Sequence, residues 1–247
     1  MTLGKKNWVP SKYTYRNGTL TASRNPGEVS IGSRLIADII ASFYHIYLKE
    51  HCKGKLIDLG CGKAPLYGSY IDLVDSAICV DWPNTSHSKD YLDVECDLTQ
   101  DLPFQAEEFD TIILSDVLEH LPEPKHLWHE MYRILRPQGK ALIHVPFLYW
   151  IHESPYDYYR YTEFGLRHLA ESSGFKVLSL EATGGILEVL TDLSAKFLQF
   201  RPLIGKPLAS FLQSAVAQLL KTRFGKTLSQ RTGRGFPLGY FMVVEKI

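Results

Sequence analysis

Between residues 55 and 182 short apolar runs alternate with segments of helical periodicity, and no other feature of the chain limits its possible folds as sharply. The runs at 55–59, 77–81, 111–115, 140–146 and 176–182 are short and largely continuous, as expected of strands buried on both faces of a parallel sheet. Parallel neighbours need crossover connections, and the intervening segments supply them. Residues 126–135 place Leu127, Met131, Ile134 and Leu135 on one helical face and stop before Pro137-Gln138-Gly139. Residues 162–172 open on Thr162, a capping residue, carry Phe164, Leu166 and Leu169, and end near Gly174. The pattern predicts a doubly wound α/β sheet with helices on both faces.

The flanks depart from this rhythm. Residues 1–30 are polar and aromatic, with turn signals at Pro10, Asn17-Gly18 and Pro26-Gly27, and read as an irregular arm. A helix capped by Ser30 or Ser33 follows to about Glu50, with Ile36, Ile39, Ile40, Phe43, Ile46 and Tyr47 at helical spacing. After Gly184-Gly185 come two helical segments. One carries Ile186, Leu187, Leu190, Leu193, Phe197 and Leu198, and the other Leu208, Phe211, Leu212, Ala215, Val216, Leu219 and Leu220. Residues 239–245 read as a closing strand. The expected division is an arm with its helix (1–51), a core (52–185) and a basic helical insertion with the closing strand (186–247), all one domain. With 247 residues, 45% of them hydrophobic, the chain can bury one sizeable core.

Charge narrows the partners. Lys plus Arg and Asp plus Glu number 27 each, so a nucleic-acid partner has no global electrostatic support. Residues 186–235, however, hold eight basic residues against Glu188 and Asp192, a local net of +6, while residues 1–185 carry −6. The four cysteines (Cys52, Cys61, Cys79, Cys96) show neither CxxC nor a Cys/His ligand spacing, so no disulfide framework and no metal is assigned. No run approaches 18 uninterrupted apolar residues, and the N-terminus lacks a signal-peptide apolar region. A cytoplasmic location is expected, with peripheral membrane contact through 186–235 as an extension of it; the oligomeric state is left open.

The chemistry concentrates in Leu56-Ile57-Asp58-Leu59-Gly60-Cys61-Gly62-Lys63-Ala64, an apolar strand running into two glycines one residue apart. Glycine permits unusual torsions there and lets a ligand approach the main chain without meeting a Cβ. Taken alone, this is also an ordinary strand-to-helix turn. A dinucleotide fingerprint needs a third glycine where Pro65 stands, which disfavours NAD. A ligand with a cationic amino-acid end would instead find use for Asp58. Asp81 ends the next strand 21 residues after Gly60, where an acid accepts hydrogen bonds from ribose hydroxyls, and Trp82 offers a face to adenine.

Five motifs in order then resemble class I S-adenosylmethionine-dependent methyltransferases, and within them the type 11 group. They are Asp58-Leu59-Gly60-Cys61-Gly62, Asp81, Asp93-Val94-Glu95-Cys96-Asp97-Leu98, the stretch Leu102-Pro103-Phe104 with Phe109 to His120, and Leu135-Arg136-Pro137-Gln138-Gly139-Lys140. The resemblance spans roughly residues 50 to 185. It implies a Rossmann-like sheet of seven strands, the last antiparallel, and S-adenosylmethionine as cofactor. It places Gly60, Cys61 and Gly62 near the methionine and ribose portions and Asp58 near the amino group. Asp81 would hold the ribose, and Asp97 and Leu98 the adenine edge. Ser115 and Asp116 would line the methionine side, and His120 would close the pocket. Many relatives carry a third glycine where this chain has Ala64, which puts the local turn geometry in question.

Methyl transfer is an in-line displacement, so positioning can supply about 7 to 11 kcal/mol of the catalytic effect in favourable cases. A base adds about 10² to 10⁴ fold if the acceptor is a hydroxyl. The segment 146–162 is dense in aromatic and titratable groups and follows a strand's carboxyl end, which makes it the expected acceptor wall. Within it His152 is the first candidate base and Asp157 the second, with Tyr149, Tyr158 and Arg160 positioning the acceptor. A packed aromatic loop with Arg160 and Asp157 paired for structure is the competing reading. Tyr13, Tyr15 and Arg16 of the arm fold over the site as a lid, with Tyr13 touching substrate, or else form a surface arm. The helical insertion packs its stripes on the core and helps enclose the acceptor, or docks on a membrane surface, or forms a dimer contact. The expected reaction is methyl transfer to a small-molecule or lipid-linked acceptor at oxygen. The rivals are a non-catalytic binding or membrane-associated assembly module of the same fold and a nucleotide-dependent oxidoreductase.

Overall fold

The computed structural model describes residues 8–84 and 90–247. Its seven-stranded sheet is built from β3 (Lys55–Leu59), β4 (Ser76–Asp81), β5 (Val94–Glu95), β6 (Phe109–Ser115), β7 (Leu135–Pro146), β8 (Phe175–Ala182) and β9 (Gly239–Lys246), in the order β5-β4-β3-β6-β7-β9-β8. The pairs from β5 to β7 are parallel, and β9 runs antiparallel to both β7 and β8. Leu56, Ile57 and Leu59, like Ile112, Ile113 and Leu114, have no exposed surface. Strands whose two faces are both covered need apolar residues at successive positions, which is why their sequences read as unbroken runs.

Helices α3 (Pro124–Ile134) and α4 (Glu163–Ser172) cover one face, where Trp128, Met131 and Leu166 join Ile57, Ile112 and Ile143 in one core. Helix α1 (Arg34–His51) and the short α2 (Tyr67–Tyr70) cover the other, where Ile40, Tyr44 and Tyr70 pack with Leu56, Ile113 and Phe241. Thr162 caps α4 as its sequence suggests, accepting a hydrogen bond from the amide of Gly165. Helix α3 ends before Pro137-Gln138-Gly139 as expected, but β7 begins at Leu135, earlier than the expected Lys140, so the tripeptide lies inside the strand, with Gln138 at φ 65° beside an irregularity in the β6 pairing.

The arm is more ordered than its sequence suggests. Strands β1 (Tyr13–Arg16) and β2 (Thr19–Ala22) form a hairpin about Asn17-Gly18, whose φ angles of 50° and 74° are those that a tight two-residue connection requires. Alternation then buries Tyr13, Leu20 and Ala22 against α1 and leaves Tyr15 outside.

The insertion departs most from expectation. It forms three helices: α5 (Ile186–Gln199), α6 (Gly205–Lys221) and α7 (Arg223–Gly233). The third occupies a stretch read as loop, because its sequence lacks a continuous apolar stripe. The stripes of α5 and α6 do not pack on the core. Leu190, Leu193, Phe197, Leu208 and Phe211 are exposed, while the buried positions of α5 include Glu188, Thr191, Asp192 and Lys196. Helix α6 turns Ala209 and Gln213 inward. The polar inward positions have partners. Gln213 accepts from the amide of Leu35 at 2.7 Å and donates to the carbonyl of Ile31, and Gln199 accepts from the amide of Gly32 at 3.0 Å. The N-terminus of α1 is thus capped from α5 and α6, and neither Ser30 nor Ser33 makes the expected side-chain cap.

Candidate functional site

Strand β3 has β4 on one side and β6 on the other, so the chain reverses its direction of sheet growth between β3 and β6. Such a switch point leaves a crevice beyond the strands' carboxyl ends. The Gly60-Cys61-Gly62 turn and the Ser115-Asp116 segment face each other across it. Gly60 has φ 70°, and a Cβ there would meet Val117 Cγ2 at 2.4 Å, so the turn and the segment after β6 touch with no room for a side chain. Ala64 occupies the left-handed region at φ 49°, a conformation that costs a non-glycine residue about 1 to 2 kcal/mol. The turn therefore keeps a glycine-like backbone although its third small residue is alanine.

Asp81, half-buried at the end of β4, accepts the amide of Gly62 at 3.2 Å through one carboxylate oxygen and that of Trp82 at 2.9 Å through the other. Each oxygen keeps acceptor capacity for a vicinal diol. Asp58 lies deeper, under the turn, and accepts from the hydroxyl of Tyr70 at 3.0 Å. Cys61 is buried beside it, its thiol pushed up by Cys79 and by burial. Asp97 is exposed and accepts from the amide of Thr99, while the Leu98 side chain enters the core. Trp82 meets the ring of Tyr156 edge-on at 5.1 Å, which joins this end of the crevice to the aromatic segment.

A cavity of about 250 Å³ opens between the arm, α1 and the ends of β6 and β7. Ile36 and Ile40 form its apolar wall, and Lys12, Asp116, Tyr149 and His152 line the polar side. Three expected residues meet there: Asp116, Tyr149 and His152. Asp116 sits at φ 56° and is held by His144 Nδ1 at 2.6 Å and Lys12 Nζ at 3.2 Å. Burial alone would raise its pKa, but His144 and Lys12 together hold the carboxylate well below the usual range. Burial pushes the Tyr149 hydroxyl up to about 12. Lys12 and His144 escape a sequence reading. His144 leaves a trace as the one titratable residue in Leu142-Ile143-His144-Val145, whereas nothing in the arm marks Lys12.

The other three expected substrate contacts do not line this cavity. The Tyr13 ring is 1% exposed within the core, because its position in β1 faces α1. Tyr158 is exposed, and its amide donates to the carbonyl of Glu119 at 2.8 Å. Arg160 grips both oxygens of Asp157, at 2.5 and 2.7 Å, and the carbonyl of Trp150. This is the structural pairing held open above. Arg160 and the His152 amide keep Asp157 ionised, with its pKa lowered to about 2, so the carboxylate orients His152 and is a poor proton acceptor.

His152 directs Nδ1 at Asp157 Oδ2 at 3.4 Å and Nε2 at Glu119 Oε1 at 3.7 Å. Burial would lower its pKa, but the two carboxylates raise it overall. The His120 ring lies 4.8 Å from that of His152, and its Nδ1 is 2.8 Å from the carbonyl of Tyr156. Glu119 has no exposed surface, and burial raises its pKa against the opposing effect of the imidazoles. It stands inside the fourth motif beside His120, a position that carries a signal, yet it received no role.

Residues 57–143 match the family described as Methyltransferase domain. No curated protein matches the chain significantly. Among solved structures it is similar to an S-adenosylmethionine-dependent methyltransferase from Archaeoglobus fulgidus, at 15% identity over 84% of this chain and 92% of that one, with a TM-score of 0.54 for the cyclase named next and 0.56 for this one. The [4+2]-cyclase SpnF covers 96% of this chain and 87% of its own at 15% identity. A methyltransferase from Mesorhizobium loti covers 78% and 90%, with a TM-score of 0.50 and 13% identity. These likenesses carry the fold. The family match covers the stretch that holds the glycine turn, Asp81 and the switch point, so a methyltransferase domain and the fold of such enzymes coincide at this crevice.

Proposed function

We propose that the chain transfers a methyl group from S-adenosylmethionine to a hydroxyl of a lipid-linked acceptor. When bound, the cofactor supplies a methyl group activated on a sulfonium. The observation that carries the acceptor class is the inverted amphipathicity of α5 and α6. Phe197, Phe200, Leu203, Ile204 and Phe211 are 62 to 97% exposed, and Arg201, Lys206, Lys221, Arg223 and Lys226 stand around them in the sequence, also exposed. Basic helices with an apolar outer face bind anionic lipid surfaces. The cavity is smaller than the usual range of about 300 to 1,000 Å³ for a ligand pocket, as suits the reacting end of a longer molecule.

The residues fit the cofactor. Asp81 would hold the ribose hydroxyls with its remaining lone pairs, and the Gly60 to Gly62 backbone would lie against the methionine portion. Asp116, kept ionised by its two cationic neighbours, would offer negative charge at the methionine end. Lys12 ties the arm across the cavity and limits water, while Tyr149 and His152 would orient the acceptor. Lys196 of α5 supports that wall. It pairs with Asp192 at 2.5 Å and lies 3.5 Å from the centre of the Tyr149 ring, which couples the exposed helices to the site.

The test is incubation of the purified chain with methyl-labelled cofactor and cell extract. Label in the solvent-extractable lipid fraction, stable to mild base as an ether is, supports the reading. Label in nucleic acid, in protein or in water-soluble molecules alone overturns the lipid-linked acceptor.

A further inference from the structure

Glu119 is buried without exposed surface, and neither carboxylate oxygen has a hydrogen-bond partner among the described residues. A buried carboxylate left so is strongly unfavourable, and native proteins supply a partner to such groups almost without exception. The neighbours are two imidazoles. His120 Nε2 and His152 Nε2 each stand 3.7 Å from the same Glu119 Oε1, beyond hydrogen-bond reach. The three ligand atoms lie within 4.8 Å of one another.

The far side of the His120 ring decides which of its nitrogens faces Glu119. His120 Nδ1 is 2.8 Å from the Tyr156 carbonyl, which can only accept, so Nδ1 carries the hydrogen and Nε2 presents a lone pair in the neutral ring. His152 Nδ1 faces Asp157 Oδ2 at 3.4 Å, and Asp157 is held in place by Arg160. A backbone carbonyl behind one imidazole and a carboxylate behind the other is the outer arrangement that fixes metal-binding histidines. Two imidazole nitrogens and a carboxylate oxygen thus stand within reach of one small cation. Ligands at zinc distances in a tetrahedral site stand about 3.4 Å apart; the two carboxylate–imidazole separations are within a few tenths of an ångström of that, and the two imidazoles close by side-chain rotation of about an ångström or more.

We propose that Glu119, His120 and His152 bind one first-row divalent cation, whose free position takes the hydroxyl oxygen of the acceptor. The use of that free position rests on the function proposed above; the cation site itself does not. Two imidazoles and one carboxylate favour zinc, manganese or iron over magnesium or calcium, which prefer all-oxygen sets. His152 and Glu153 line the cavity, so the cation stands at its edge. An oxygen bound there becomes more acidic and is held at a fixed point of the wall. In this arrangement His152 acts as a ligand and Asp157 as its positioning residue.

The test uses the untagged full chain, stripped with chelator and titrated calorimetrically with zinc chloride and separately with manganese chloride. The same preparations are titrated with S-adenosylhomocysteine. The expected result is one cation per chain. E119Q and H152Q each weaken binding by at least the roughly 100-fold that loss of an outer partner can reach, and D157N weakens it by about 10 to 100 fold. Affinity for S-adenosylhomocysteine changes little in all three. No stoichiometric uptake by the wild type, or equal uptake by E119Q and H152Q, overturns the site. If the wild type takes up zinc but not S-adenosylhomocysteine, the cofactor reading fails while the cation site stands.

Discussion

Asp116 shows how much one side chain draws from distant parts of the chain. Its carboxylate is fixed by Lys12 of the arm and His144 of β7, and both partners lower its pKa. A group depressed in the folded state adds stability that is complete above its unfolded pKa and is lost as pH falls towards the folded one. D116N is therefore expected to lower unfolding free energy by about 1 to 3 kcal/mol near neutrality. The gap to the wild type should stay flat above about pH 5 and narrow once pH falls below the ordinary aspartate value of about 4. Denaturant titrations at several pH values check this, and a gap that widens in acid contradicts it. Asp58, Gly60, Gly62 and Asp81 could be picked out from the sequence because a strand-end turn has few solutions and each uses residues at set spacings. Lys12, Glu119 and His144 were not assigned, since their meaning depends on partners 28 to 104 residues away or on burial that no local pattern encodes.

Elements differ in how openly the chain declares them. The strands of the sheet were legible because burial on two faces demands continuous apolar runs. The hairpin of β1 and β2 was not, although its Asn17-Gly18 turn was visible, since four-residue strands of mixed polarity give little alternation to read. Its turn can be tested directly. A Cβ at Gly18 meets nothing within 4 Å, so G18V acts through the backbone at φ 74° alone. A β-branched residue in that region should cost about 1 to 2 kcal/mol. Hydrogen exchange is expected to quicken across residues 13–22 while β6 and β7 keep their protection; unchanged exchange in the hairpin counts against its role. Helices α5 and α6 were readable as helices from their periodicity, but which face turns inward was not. Gln199 and Gln213 settle it by receiving the amides of Gly32 and Leu35, a requirement set at the start of a different helix.

At the scale of the molecule the formal charge is zero, yet its distribution gives the helical insertion a basic, apolar outer surface. Lys196 leaves that surface, being buried against Asp192, and seven basic residues from Arg201 to Arg234 remain exposed. No helix among the described residues is long and apolar enough to cross a membrane. The proposed lipid-linked acceptor therefore calls for binding at the lipid surface. The chain is expected to sediment with anionic vesicles and to be released by salt, with each basic residue near the surface worth about 1 kcal/mol. The triple variant F197S, F200S, L203S should lose most of that binding while keeping its cofactor affinity. If vesicles leave the chain in solution and the same variant changes its self-association, the surface joins two copies instead. The sequence by itself determined the parallel sheet, the glycine turn and the acid opposite it, because strand burial and close backbone approach each restrict residue type at neighbouring positions. Only the tertiary structure decided which face of α5 and α6 is buried, what caps α1 and how Glu119 meets two imidazoles. Those outcomes depend on groups far apart in the chain satisfying one another's polar atoms, and periodicity carries no record of that.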